Sequence, residues 1–226
     1  MYCRKKTKLV CGVGINDANY TVMANRKDGY SFTCPVYKTW VSLLNRCFCP
    51  NEKERHPCYL DVLVCEDWLR FSRFKSWMDS QTYLDLAVKK LNLDKDLLIL
   101  GNKEYSPEKC AFVPGRINTL LLTNGRSRGE QPIGVYYHTD MKSRPYRASI
   151  NDNFDQRIRS SYYNTAEEAH TWWQEKKADV IREAVELWKV DPIHRNSYRE
   201  DVAQAILLRA DMIDRHRTER VETKYL

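Results

Sequence analysis

The chain has 226 residues, 42% of them apolar, with only eight Gly and eight Pro, which fits a globular protein and excludes a disordered or collagen-like one. No apolar run reaches the length of a membrane span, and the start, Met1-Tyr2-Cys3-Arg4-Lys5-Lys6, lacks the apolar stretch of a secretory signal, so a soluble, cytoplasmic protein with no membrane partner is expected. Basic residues number 37 against 30 acidic ones, and the excess is uneven: net +6 over residues 1–123, +3 over 124–160 and −2 over 161–226. A polyanion would therefore meet the first two stretches.

In chain order, a basic arm leads into an irregular or β stretch, Val10 to Asp17, with turn signals at Asn25 and Asp28-Gly29. Gly12 and Gly14 read as a plain turn, since no third glycine, no Gly-Lys-Ser/Thr and no amphipathic helix follows. Trp40, Leu43, Leu44 and Cys47 recur at helical spacing and predict a buried helical face. A second helix is expected from about Glu66, with Trp68, Phe71, Phe74 and Trp77-Met78 as its core stripe. The eight cysteines contain no C-x-x-C pair and read as small buried hydrophobes, with a zinc set of Cys47, Cys49, His56 and Cys58 left open.

The segment that follows carries more chemistry. Asp94-Lys95-Asp96, then Tyr105-Ser106-Pro107-Glu108-Lys109-Cys110, Ala111-Phe112-Val113-Pro114 and Asn118 resemble the ββα metal-site core of phage HNH endonucleases. Trp40, Arg46-Cys47, Tyr59, Trp68 and Phe71-Ser72-Arg73-Phe74 match the aromatic lead-in of that family, and the likeness spans roughly residues 30–122. The resemblance implies that Asp94 and Asn118 hold one divalent cation, Mg²⁺ or Mn²⁺, at a phosphodiester. Lys95 stands where the family has its general-base His, and Lys109 where it has an Asn. A small insertion is inferred around Leu97–Leu100.

The altered positions bear on the chemistry. A hard cation takes oxygen ligands, which a carboxylate and an amide supply. Activating water needs a base that titrates near neutrality, as His does. A Lys between two carboxylates keeps its proton, so Lys95 is better suited to gripping phosphate or filling the metal position than to general-base work. Without its flanks, Asp94-Lys95-Asp96 would read as a solvated turn.

A linker is expected at Thr123 to Pro132. Beyond it, Gly134 to His138, Arg144 to Ile150 and Gln156 to Tyr163 alternate as three short strands. A helix follows, capped by Asn164 or Thr165, with Trp173, Lys177, Val180, Ala184 and Trp188 on one face. Gly134-Val135-Tyr136-Tyr137, Tyr146-Arg147-Ala148-Ser149-Ile150 and Tyr162-Tyr163-Asn164-Thr165-Ala166-Glu167-Glu168-Ala169 resemble the apetala-two DNA-binding domain. That likeness implies duplex DNA as partner, read by the outer face of the sheet. Alternation directs Ala148, Ile150 and Ile158 inward and Arg147, Ser149, Arg157 and Arg159 outward, with Tyr136, His138 and Arg144 joining the outer face.

After a break at Asp191-Pro192, a last helix from about Ser197 presents Val202, Ala205, Ile206, Arg209 and Ile213 on one side, suited either to packing on the preceding part or to self-association. The expected class is thus α+β. An HNH-like ββα domain spans 1–123, a three-stranded antiparallel sheet backed by a helix spans 134–190, and a helical extension spans 191–226. Two functions follow from the resemblances: a site-selective DNA endonuclease of the homing or nicking type, or a DNA-binding, regulatory relative that no longer cleaves.

Overall fold

A computed structural model describes residues 9–25, 31–81, 91–121 and 130–224. The expected basic arm, the Asp28-Gly29 turn and most of the 123–132 linker lie outside the described residues. The architecture is α+β, and the chain divides into two compact units, residues 1–89 with 93–111 and residues 90–92 with 112–226. No helix among the described residues is long and apolar enough to cross a membrane.

In the first unit, Cys11 and Gly12 adopt positive φ (52° and 79°) in a tight turn closed by Val10 and Gly14. Strands β1 (Met23–Asn25) and β2 (Ser31–Thr33) form an antiparallel hairpin. Helix α1 (Pro35–Phe48) starts with proline at its first position, where the missing N–H costs nothing, and buries Trp40, Leu43, Leu44 and Cys47 as its spacing predicts. A short helix α2 (Pro50–Arg55) follows. Strand β3 (Leu63–Val64) later pairs in parallel with β5 (Glu104–Tyr105).

The expected helix from Glu66 is two pieces. A 3-10 turn covers Glu66–Leu69, Arg70 is extended, and α3 runs from Phe71 to Ser80. The break has a backbone cause: Leu69 O accepts from Ile15 N at 2.8 Å and Phe71 N donates to Ile15 O at 3.0 Å, so Arg70 must sit in a bridge. The core survives the break. Trp68, Phe71, Phe74 and Met78 are buried, and Trp40 donates its indole N–H to Trp68 O at 2.7 Å. Tyr37, Trp40 and Phe71 form one aromatic cluster and Trp68, Phe74 and Trp77 another.

Strands β4 (Leu91–Asp94) and β6 (Ala111–Pro114) form a two-stranded sheet, and α4 (Gly115–Leu120) follows β6 directly. In the second unit, β7 (Val135–Tyr137), β8 (Tyr146–Asn151) and β9 (Arg157–Tyr163) make an antiparallel meander backed by α5 (Ala166–Val190). Thr165 caps α5 in a full capping box with Glu168, which satisfies two orphan N–H groups at its start. Val135, Ala148 and Ile150 of the sheet pack on Ala169, Trp173 and Val180 of the helix. Lys177, on the same helical face, reaches out to donate to the Leu120 carbonyl at the end of α4, and burial lowers its pKa to about 8.

Helix α6 begins at Glu200 (Glu200–Thr218), after a 3-10 turn at Arg195–Ser197, and buries Val202, Ala205, Ile206, Arg209 and Ile213. It packs on α5, so its apolar side is spent within the unit. Thr223 beyond it is held by His170 and Gln174 of α5.

Gly134, at φ 77°, lies where a Cβ would run into the indole of Trp173. Gly134→Ala therefore combines a left-handed backbone with overpacking and should lower the unfolding free energy by roughly 2–4 kcal/mol, read from urea denaturation. A change under half that size would mean that Trp173 swings away at little cost.

Candidate functional site

Two places carry the residues singled out by sequence, one in each unit. In the second unit, pairing register decides the outer face of the sheet. Val135 faces Ala148, Tyr136 faces Arg147, and Arg147 faces Tyr162; further along, Ser149 faces Arg159 and Asn151 faces Arg157. Since Ala148 is fully buried against α5 and side chains alternate, Tyr136, Arg147, Ser149, Arg157 and Arg159 share the opposite, solvent-facing side.

A bulge lies between Arg147/Ser149 and their partners on β9. There the Ala148 N–H donates to Ser160 Oγ at 2.9 Å instead of a ladder carbonyl, and the Ser160 carbonyl accepts from Arg147 Nε at 3.0 Å. The guanidinium of Arg147 also sits 4.9 Å from the centroid of the Tyr162 ring, which in turn meets His138 edge-on at 5.3 Å. A planar cation on an aromatic face is worth about 0.5–1 kcal/mol at exposed sites. Arg147 is thereby held in one place.

Strict alternation from Ile158 would send Tyr162 inward with Ser160. The extra residue of the bulge reverses this, which is why sequence reading missed Tyr162 as a site residue. Ile158 does oppose Ile150 as expected, but at the end of the sheet it remains 38% exposed. Arg144 departs from expectation. Strand pairing starts at Tyr137 and Tyr146, His138 N donates to Pro145 O at 2.8 Å, and Arg144 is left in the connecting loop at φ 54°. It is exposed beside the sheet, not on its face.

In the first unit, Asp94 ends β4. Its Oδ1 accepts the N–H groups of Asp96 (2.6 Å) and Leu97 (3.0 Å), folding the chain back on itself. Burial raises the Asp94 carboxyl above the ordinary carboxylate range, although these two donors pull the other way. Lys95 is buried, 7% exposed, and its ammonium donates to Asp96 Oδ1 at 2.6 Å and to the Asn102 carbonyl at 2.9 Å. Asn102 closes the ring, donating to the carbonyls of Lys95 (2.8 Å) and Glu104 (2.7 Å). Leu97 is buried in this loop, whereas Ile99 and Leu100 of the inferred insertion are exposed. Lys109 pairs with Glu104, which raises its pKa, and it stays at the surface.

Arg46 of α1 joins this region through Tyr105. Its Nη1 donates to the Tyr105 hydroxyl at 3.0 Å, and its guanidinium lies 5.8 Å from the Tyr59 ring centroid. Burial lowers its pKa, but Tyr105, Tyr59 and the Asp94 carboxylate more than offset that and keep the cation firmly charged. In the sequence Arg46 and Tyr105 are marks of resemblance only, and nothing in their spacing signals this contact.

For a divalent ion, Asp94 offers Oδ2, since Oδ1 holds the loop; one carboxylate plus substrate phosphate oxygens is a donor set that Mg²⁺ uses. Asn118 lies half-buried on α4 and belongs to the second unit. Among the described residues no group of three or more His, Cys, Asp or Glu side chains is placed to hold a metal ion, and that includes Cys47, Cys49, His56 and Cys58. Burial pushes the Cys47 thiol up to about 12. No family model matches the chain, and neither does any curated protein or solved structure.

Lys95 thus acts as a strut for residues 95–102. Lys95→Met would strand the Asn102 carbonyl and should cost about 1–3 kcal/mol of stability, measured by urea denaturation. An unchanged midpoint would mean that the ammonium contributes nothing to the loop.

Proposed function

We propose that the chain is a double-stranded DNA-binding protein of HNH-endonuclease build, reading the duplex with the outer face of β7, β8 and β9. The observation that carries this reading is the row Tyr136, Arg147, Tyr162, flanked by Arg157 and Arg159, on the sheet face opposite α5. A two- or three-stranded sheet face fits the major groove, and an Arg fork matches the O6 and N7 acceptors of guanine. Arg147, already fixed on Tyr162 and Ser160, loses little freedom on binding. Arg144, Arg157 and Arg159 are exposed and serve the phosphates, whose contribution is electrostatic and independent of sequence.

Strand cleavage, on this reading, depends on Asp94. Bound there, Mg²⁺ or Mn²⁺ would supply Lewis-acid stabilisation of the scissile phosphate. A second reading, a binder that does not cleave, is favoured by one feature: Lys95 stands where the family has its His, and its side chain is tied to Asp96 and the Asn102 carbonyl within its own loop. Resemblance to HNH endonucleases supports the first reading and Lys95 the second.

Fluorescence anisotropy of the full chain with labelled duplex DNA tests the shared part. Arg147→Ala should weaken binding to a preferred site by about 1–3 kcal/mol, roughly five- to 150-fold, and relax the choice of base. Arg159→Ala should weaken all duplexes alike and reduce the salt slope by about one. Equal affinity in both variants would remove the sheet face from the interface. Incubation with duplex and Mg²⁺ or Mn²⁺ then separates the readings: cleavage lost in Asp94→Ala marks the nuclease, and binding without cleavage marks the binder.

A further inference from the structure

The first unit contains a cleft of about 570 Å³ that the DNA-binding reading leaves unused. Its floor is the polar side of α1, the face opposite Trp40, Leu43, Leu44 and Cys47, and its walls come from the β1–β2 hairpin, α2 and the turn at His56–Tyr59. The volume falls within the range of about 300–1,000 Å³ that small-molecule sites occupy.

The lining groups converge on one ligand chemistry. Arg46 enters the cleft with its guanidinium already aimed by Tyr105 and the Tyr59 ring, and Tyr105 takes only one of its five N–H donors. Lys38, two turns earlier on α1, adds a second positive charge from an exposed position. Next to the Arg46 guanidinium, the rings of Tyr59 and His56 stand 5.7 Å apart at 59°, an aromatic patch in the same cleft. Glu52 and Asn45 add an acceptor and an amide. An Arg fork with a Lys in the same cleft suits phosphate, and an aromatic patch with a carboxylate in the same lining suits a flat ring bearing N–H groups.

We propose that this cleft binds a mononucleotide, its phosphate on Arg46 and Lys38 and its base along His56 and Tyr59. The site is independent of the sheet face in the second unit, and the two stand or fall separately. Isothermal titration of the full chain with deoxyadenosine 5′-monophosphate, deoxyadenosine and inorganic phosphate, without metal or DNA, tests it. The nucleotide should bind at least tenfold more tightly than either of its halves. Lys38→Ala should weaken it fivefold or more, and Arg46→Lys, which keeps the charge but loses the fork, should do likewise. Arg147→Ala should leave nucleotide affinity unchanged. Absence of heat at millimolar nucleotide, equal affinity for free phosphate, or wild-type affinity in both cleft variants with circular dichroism unchanged would overturn the proposal.

Discussion

Trp173 of α5 seats its indole over Gly134, beside the fully buried Ala148, and this close approach of helix to sheet decides what the second unit can present. With no Cβ at 134 and only a methyl at 148, the helix covers the inner face tightly. The period of two then has one consequence for every other residue of β7 and β8: Tyr136, Arg147 and Ser149 must face solvent. A core built from small residues on one side of the sheet is therefore what displays large cationic and aromatic residues on the other.

Position alone does not hold the Arg147 guanidinium in one place; the bulge does that. By inserting one residue into β9, it brings Tyr162 under the guanidinium and frees the Ser160 carbonyl to accept from Nε. Ser160 Oγ repairs the ladder bond that the bulge would otherwise cost Ala148. The first unit shows the reverse arrangement. There, Asp94 and Lys95 turn inward on their own loop and the exposed Asp96 pairs with Lys95, so the segment with the strongest chemical signature in the sequence spends polar atoms on structure.

Much of this was legible in the sequence where the signal is periodic. The buried faces of α1, α5 and α6, the three strands and a cap at Asn164 or Thr165, which the structure places on Thr165, all follow from spacing and capping chemistry. What escaped was long-range. The break at Arg70 is imposed by Ile15, some 55 positions away, which overrides an otherwise unbroken aromatic stripe. Tyr162 was misdirected by a bulge, and Arg144 fell into a loop because pairing began two residues later than the alternating pattern does. Arg46 meets Tyr105 across 59 positions, and no local pattern marks that contact.

The central claim is that duplex DNA meets the outer face of the β7–β9 sheet. Amide and guanidinium NMR shifts of the isotopically labelled full chain, titrated with a duplex oligonucleotide, test it most directly. The signals expected to move are those of Tyr136, Arg147, Ser149, Arg157, Arg159 and Tyr162, with α6 unaffected. Perturbations confined to α5 and α6, or a sheet whose signals do not move at saturating DNA, would contradict it.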